Sequence, residues 1–114
     1  MTQSNRRKHT RVAIKLEYHF FLEGREYTGK TGNISLSGAF LSRPEPELMP
    51  SCISQLGVLK IKLNDELLSF KCEIVYVAMH DNEMLPVGTG VVFCDTDDET
   101  STSILALAAA QGLE

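Results

Sequence analysis

Period-two alternation of apolar and polar residues is the feature that most restricts how this chain can fold. From Val12 the apolar residues fall at every second position (Val12, Ile14, Leu16, Tyr18, Phe20), with Lys15, Glu17 and His19 between them. Successive side chains of a strand point to opposite faces, so this stretch predicts a half-buried strand. The same rhythm returns at Leu59, Ile61 and Leu63, separated by Lys60 and Lys62. It returns again at Phe70, Cys72, Ile74 and Tyr76. Between these runs stand turn residues: Glu23-Gly24-Arg25-Glu26, Asn64-Asp65 and His80-Asp81-Asn82-Glu83.

The remaining segments fit the same plan. A second strand starts at Tyr27, and Gly29 and Gly32 within it suggest a bend or bulge. A third covers Ala39 to Leu41 and is expected to stop at Arg43-Pro44-Glu45-Pro46, because proline cannot donate to a ladder. A poorly patterned loop reaches to about Gln55, and a last strand runs from about Val87 to Phe93. Asp95-Thr96-Asp97-Asp98-Glu99 reads as a helix start, with acids near the positive end of the helix. Ile104, Leu105, Leu107 and Ala108 then make an apolar stripe at helical spacing. Six short strands joined by turns, followed by one helix, predict a mainly β fold. The expected form is a small six-stranded antiparallel β-barrel with a C-terminal α-helix.

At 114 residues the chain is long enough for one core. We divide it into a basic N-terminal arm, residues 1–11, expected to be mobile without ligand, and a barrel with its helix, residues 12–112. Net charge is −4, yet the charges are sorted. No acid precedes Glu17, whereas Arg6, Arg7, Lys8, Arg11 and Lys15 all do, and no Lys or Arg follows Lys71. Screening over ~10 Å isolates the arm from the distant acids, so the local charge favours an anionic partner. No apolar run approaches the ~20 residues that span a bilayer. The basic start lacks the apolar stretch of a signal peptide, and the expectation is a cytoplasmic protein. Cys52, Cys72 and Cys94 are odd in number and contain no C-x-x-C, which argues for reduced, packed cysteines rather than a disulfide framework or a zinc site.

Two stretches carry chemistry. Asn33-Ile34-Ser35-Leu36-Ser37-Gly38 offers an amide, two hydroxyls and backbone N–H groups in one short polar arc. Arg7 and Arg11 stand four positions apart just before the first strand. Arginine presents a planar fork of donors that matches phosphate oxygens and the O6/N7 edge of guanine. Together they suggest a phosphorylated, guanine-containing ligand.

In these residues the chain resembles the PilZ domain, whose signature is R-x-x-x-R, a strand, and then [D/N]-x-S-x-x-G. Arg7 and Arg11 match the first part; Asn33, Ser35 and Gly38 match the second. The similarity extends through Gly90-Val91-Val92-Phe93 and the closing helix. The resemblance implies that the ligand is cyclic di-GMP, a bacterial second messenger with two guanines and two phosphodiesters. On that reading Arg7 and Arg11 grip phosphate or a guanine Hoogsteen edge, and Asn33 meets a guanine edge. Ser35 bonds guanine or phosphate, and Gly38 lets the backbone approach. Arg6 and Lys8 are candidate helpers. Tyr76 stands where some relatives carry an aromatic stacked on guanine; it also fits the core face of its strand, which the alternation favours. The family's turn more often begins with Asp; Asn33 keeps the acceptor without the charge. No cofactor beyond the ligand is implied, and a downstream protein partner in motility, biofilm or exopolysaccharide control is.

Three competing readings are weaker. A PilZ-type adaptor that binds no nucleotide and works by protein contact in pilus or motility assembly typically lacks the arginine pair. A barrel for single-stranded nucleic acid interleaves aromatic and basic residues, whereas this arm has no aromatic. His9, His19 and His80 are scattered, with no catalytic or metal motif around them, so an enzyme is not expected.

Overall fold

The computed structural model describes residues 15–79 and 86–111. Its strands are β1 (Glu17–Leu22), β2 (Arg25–Ile34), β3 (Gly38–Glu45), β4 (Leu56–Leu63), β5 (Glu66–Ala78) and β6 (Gly88–Phe93), followed by helix α1 (Asp98–Gln111). Every neighbouring pair is antiparallel, and the strands close into a barrel in the order β1-β2-β3-β6-β5-β4. The expected six-stranded antiparallel barrel with a C-terminal helix is the fold observed.

The alternation builds the core directly. In β1 the even residues Tyr18, Phe20 and Leu22 are buried and the odd ones exposed. In β4 Leu59, Ile61 and Leu63 are buried. They meet Phe70 and Ile74 of β5, and Phe70 stacks on Phe93 with ring centroids 4.3 Å apart. Burying each such side chain contributes roughly 1.5–3 kcal/mol. The β1–β2 and β4–β5 links are two-residue hairpin turns, Glu23-Gly24 and Asn64-Asp65, in which all four residues have positive φ. That geometry matches the twist of the flanking strands. Val12, Ile14 and the expected turn at His80-Asp81-Asn82-Glu83 lie outside the described residues.

Two expectations are corrected. β3 does not stop at Arg43-Pro44 but runs to Glu45. Ser42 pairs with Lys30 and Glu45 with Thr28, so β3 carries one residue more than β2 over this stretch. The extra residue forms a bulge at Arg43-Pro44, with Arg43 at φ +40°, where proline's missing N–H breaks no ladder bond.

The helix stripe is also different. Leu107 is fully buried, but Leu105 is 71% exposed, and the line facing the barrel is Thr100, Ser103 and Leu107. The reason lies in β5, which outruns β6: its residues before Cys72 have no β6 partner. The helix takes that place. The Ser69 N–H donates to Ser103 Oγ and the Lys71 N–H to Thr100 Oγ1, each at 2.9 Å. Hydroxyls therefore sit where a purely apolar stripe was expected. Asp97 caps the helix: its Oδ1 accepts the Thr100 N–H at 2.7 Å, which holds the Asp97 carboxyl below the usual carboxylate range. The three cysteines are unpaired. Burial, with a smaller push from Cys94, raises the Cys72 pKa.

Candidate functional site

Two further bulges bring the site to the outside of the barrel. Thr31 pairs with Leu41 but Asn33 pairs with Phe40, so β2 holds an extra residue at Gly32. Thr31 and Leu41 are buried on the inner side, and the extra residue turns Asn33 to the outer side with Phe40. In β5, Ile74 pairs with Val91 and Tyr76 with Gly90, leaving Val75 as the extra residue. Tyr76 therefore leaves the inner face of Phe70, Cys72 and Ile74, which corrects the expectation that it packs in the core. Phe40 pairs with Gly90 as well. Asn33, Phe40, Gly90 and Tyr76 thus form one transverse row across β2, β3, β6 and β5.

The row has a definite surface. The Phe40 and Tyr76 rings stack with centroids 6.2 Å apart and planes inclined by 27°. Glycines form their bed. A Cβ at Gly90 would run into the Tyr76 ring, and one at Gly88 into the Phe40 ring. One at Gly32 would lie 2.7 Å from Phe40 Cδ2. The rings lie flat on the barrel wall because those positions carry no side chain. Beside them Asn33 is half-buried, and its Oδ1 is shielded from solvent without a hydrogen-bond partner among the described residues. Leaving such an acceptor unmet costs about 1–3 kcal/mol, which a donor brought by a ligand would recover.

The polar turn is shorter than the sequence suggests, since β2 continues through Ile34 and β3 begins at Gly38. Ser35 donates its N–H to the Gly38 carbonyl at 2.9 Å, and its Oγ accepts the Ser37 N–H at 3.1 Å. The Ser37 carbonyl accepts the Phe93 N–H at 2.8 Å. Ser35 is thus buried and braces the turn. Gly38 has a reason of its own: a Cβ there would strike the Val91 carbonyl oxygen, so glycine permits the close approach of β3 to β6.

The chain joins the barrel next to this turn. Leu16 N–H donates to Thr31 Oγ1 at 3.0 Å, and Thr31 N–H donates to the Leu16 carbonyl at 2.9 Å. Thr31 is two residues from Asn33. Arg6, Arg7, Lys8 and Arg11 lie outside the described residues. Of the residues singled out from the sequence, Asn33, Ser35 and Gly38 share one corner, and Tyr76 stands in the same outer row as Asn33. Phe40 and Gly90 were missed. The signal that could have found them is the set of glycines within strand-like runs, which marks close approach of a ring or backbone. Among the described residues no three His, Cys, Asp or Glu gather as a metal cluster, and no helix is long and apolar enough to cross a membrane.

Three comparisons bear on this arrangement. The family model of the PilZ domain matches residues 5–110. A search of curated proteins gave no match. Among solved structures, the chain is similar to the PilZ domain of CeSA from a cellulose-synthesizing bacterium, with a TM-score of 0.66 at 13% identity, covering 90% of this chain and 96% of that one. The second match supports the barrel and its helix; the first spans both the basic arm and the Asn33 turn, and on it the chain belongs to the PilZ domain family.

Proposed function

We propose that this chain binds cyclic di-GMP on the outer face of its barrel, with the N-terminal arginines closing over the ligand. PilZ domains are a family of cyclic di-GMP receptors, which supports the general reading. The observation that carries the site assignment is the unpartnered Asn33 Oδ1, set between the aromatic pair and the point where the chain enters the barrel. Guanine carries N–H donors on the edge opposite its Hoogsteen face, and one of them against Asn33 Oδ1 supplies the missing bond. The half-buried Tyr76 ring offers a stacking surface, and stacking of a base on an aromatic contributes about 1–3 kcal/mol.

Arg7 and Arg11 take the phosphates or the Hoogsteen edge, each charge-assisted contact contributing roughly 1.5–3 kcal/mol. Arg6 and Lys8 add positive charge alongside. These contacts must exceed the cost of ordering the arm, roughly 1–2 kcal/mol per backbone residue fixed. Binding then hides a basic arm and displays a nucleotide-bearing face, which a protein partner reads. Calorimetric titration with cyclic di-GMP tests this. The parent should give a saturable heat, and Arg11→Ala should bind about 10- to 100-fold more weakly, since ~1.4 kcal/mol is tenfold. Equal heats from both proteins would refute the role of the arm. No heat from the parent would leave the nucleotide-free adaptor as the better reading.

A further inference from the structure

We infer that the outer wall of β4 and β5 is a self-association surface, through which two copies of this chain pair about a two-fold axis. Leu59 of β4 and Phe70, Cys72 and Ile74 of β5 are buried, so the residues alternating with them point outward. These are Leu56 and Val58 on β4, and Lys71 and Glu73 on β5. Leu56 is 52% exposed and Val58 37%, and Val58 pairs with Phe21 of β1, itself 38% exposed. On the other side Glu73 pairs with Val92 of β6, also 38% exposed. Single exposed apolar residues are ordinary on a protein surface, but a group on one wall marks a face that something covers.

The register points to a second copy as the occupant. Leu56 pairs with Glu73 and Val58 with Lys71, so the wall carries two neighbouring rows, each with one apolar and one charged residue. The two charges are opposite. Lay a second copy face to face, turned about an axis that crosses the strands midway between the rows. Each row then meets the other row of its partner. Lys71 of one copy faces Glu73 of the other, Leu56 faces Val58, and every contact occurs twice, with Phe21 and Val92 at the two sides. That is an isologous interface, in which residue i meets j and j meets i. Neither Lys71 nor Glu73 has an ion-pair partner among the described residues, although Asp97 and Glu99 of the helix start border the groove beside Lys71. The apolar residues supply the affinity, and the charges fix how the copies face each other.

Sedimentation velocity of the full chain over a concentration series tests this, with thermal melting to check that each variant is folded. The parent should pass from monomer to dimer as concentration rises. Lys71→Glu and Glu73→Lys each set like charges face to face twice, and either alone should weaken the dimer about tenfold or more. An equimolar mixture of the two variants restores both opposite-charge pairs and should dimerise like the parent. Lys62→Glu makes the same charge change on an exposed β4 residue outside the two rows, and should leave the dimer intact. Leu56→Asp should abolish it. A parent that stays monomeric at every concentration, or a mixture no more dimeric than its components, would overturn the pairing. Neither result bears on cyclic di-GMP at the Asn33 row.

Discussion

The inner and outer faces of the same four strands behave as two different materials. Inside, Ile34, Ala39, Leu41, Ile74 and Val91 interlock in an apolar core. Outside, Asn33, Phe40, Gly90 and Tyr76 form a row in which glycine bears rings and an amide oxygen lacks a partner among the described residues. The inner face maximises contact, and any gap there is destabilising. The outer face keeps a flat surface and an acceptor unmet among the described residues, a feature that costs stability and that the proposed ligand would answer. On the proposed reading, the same backbone separates folding from recognition by side-chain direction.

That division can be broken from the inside first. Phe70→Ala removes a fully buried ring that stacks on Phe93, and should cost about 3–5 kcal/mol in chemical denaturation. A loss below about 1 kcal/mol would mean the inner face is not the core described here. Next comes the seam between α1 and β5. Thr100→Val combined with Ser103→Ala strips the partners from the Lys71 and Ser69 N–H groups. Each orphaned donor costs about 1–3 kcal/mol, while cyclic di-GMP affinity should be unchanged. A large loss of affinity would show that the seam and the outer row are not independent.

The outer row makes the opposite forecast. Asn33→Leu deletes an acceptor that nothing in the described fold satisfies, so thermal stability should hold or rise while binding weakens about tenfold. A stability loss without a binding loss would assign Asn33 to the fold instead.

The smallest effect concerns Asp97. Its carboxyl is held below the usual range by the Thr100 N–H, so the charged form stabilises the folded state. That stabilisation is present above the ordinary carboxylate pKa of about 3.9 and is lost as pH falls through the lower folded value. Asp97→Ala should therefore melt below the parent at neutral pH, and the two melting curves should converge in acid. A constant gap across pH would remove the cap from the account.

How much was legible beforehand follows the same divide. β1 and β4 could be read residue by residue, because their unbroken alternation leaves one choice of inner face. The polar corner was also legible, since Asn33, Ser35 and Gly38 are close in the chain and match a family signature together with Arg7 and Arg11. Tyr76 was not. One extra residue at Val75 changes the phase of β5, and nothing in a local apolar pattern announces a bulge that only the pairing with β6 defines. Pro44 misled for a related reason: a proline that would end a regular strand is tolerated at a bulge. The helix face was misjudged because its hydroxyls serve the unpaired N–H groups of β5, a need that arises only once β6 proves shorter.

The most direct test of a nucleotide site on the outer row is amide shift mapping of the labelled full chain with cyclic di-GMP. The account predicts saturable shifts centred on Asn33, Ser35, Ser37, Gly90 and Tyr76, with Leu59, Ile61 and the α1–β5 seam undisturbed. Shifts concentrated on that seam, or none anywhere as nucleotide is added, would contradict it.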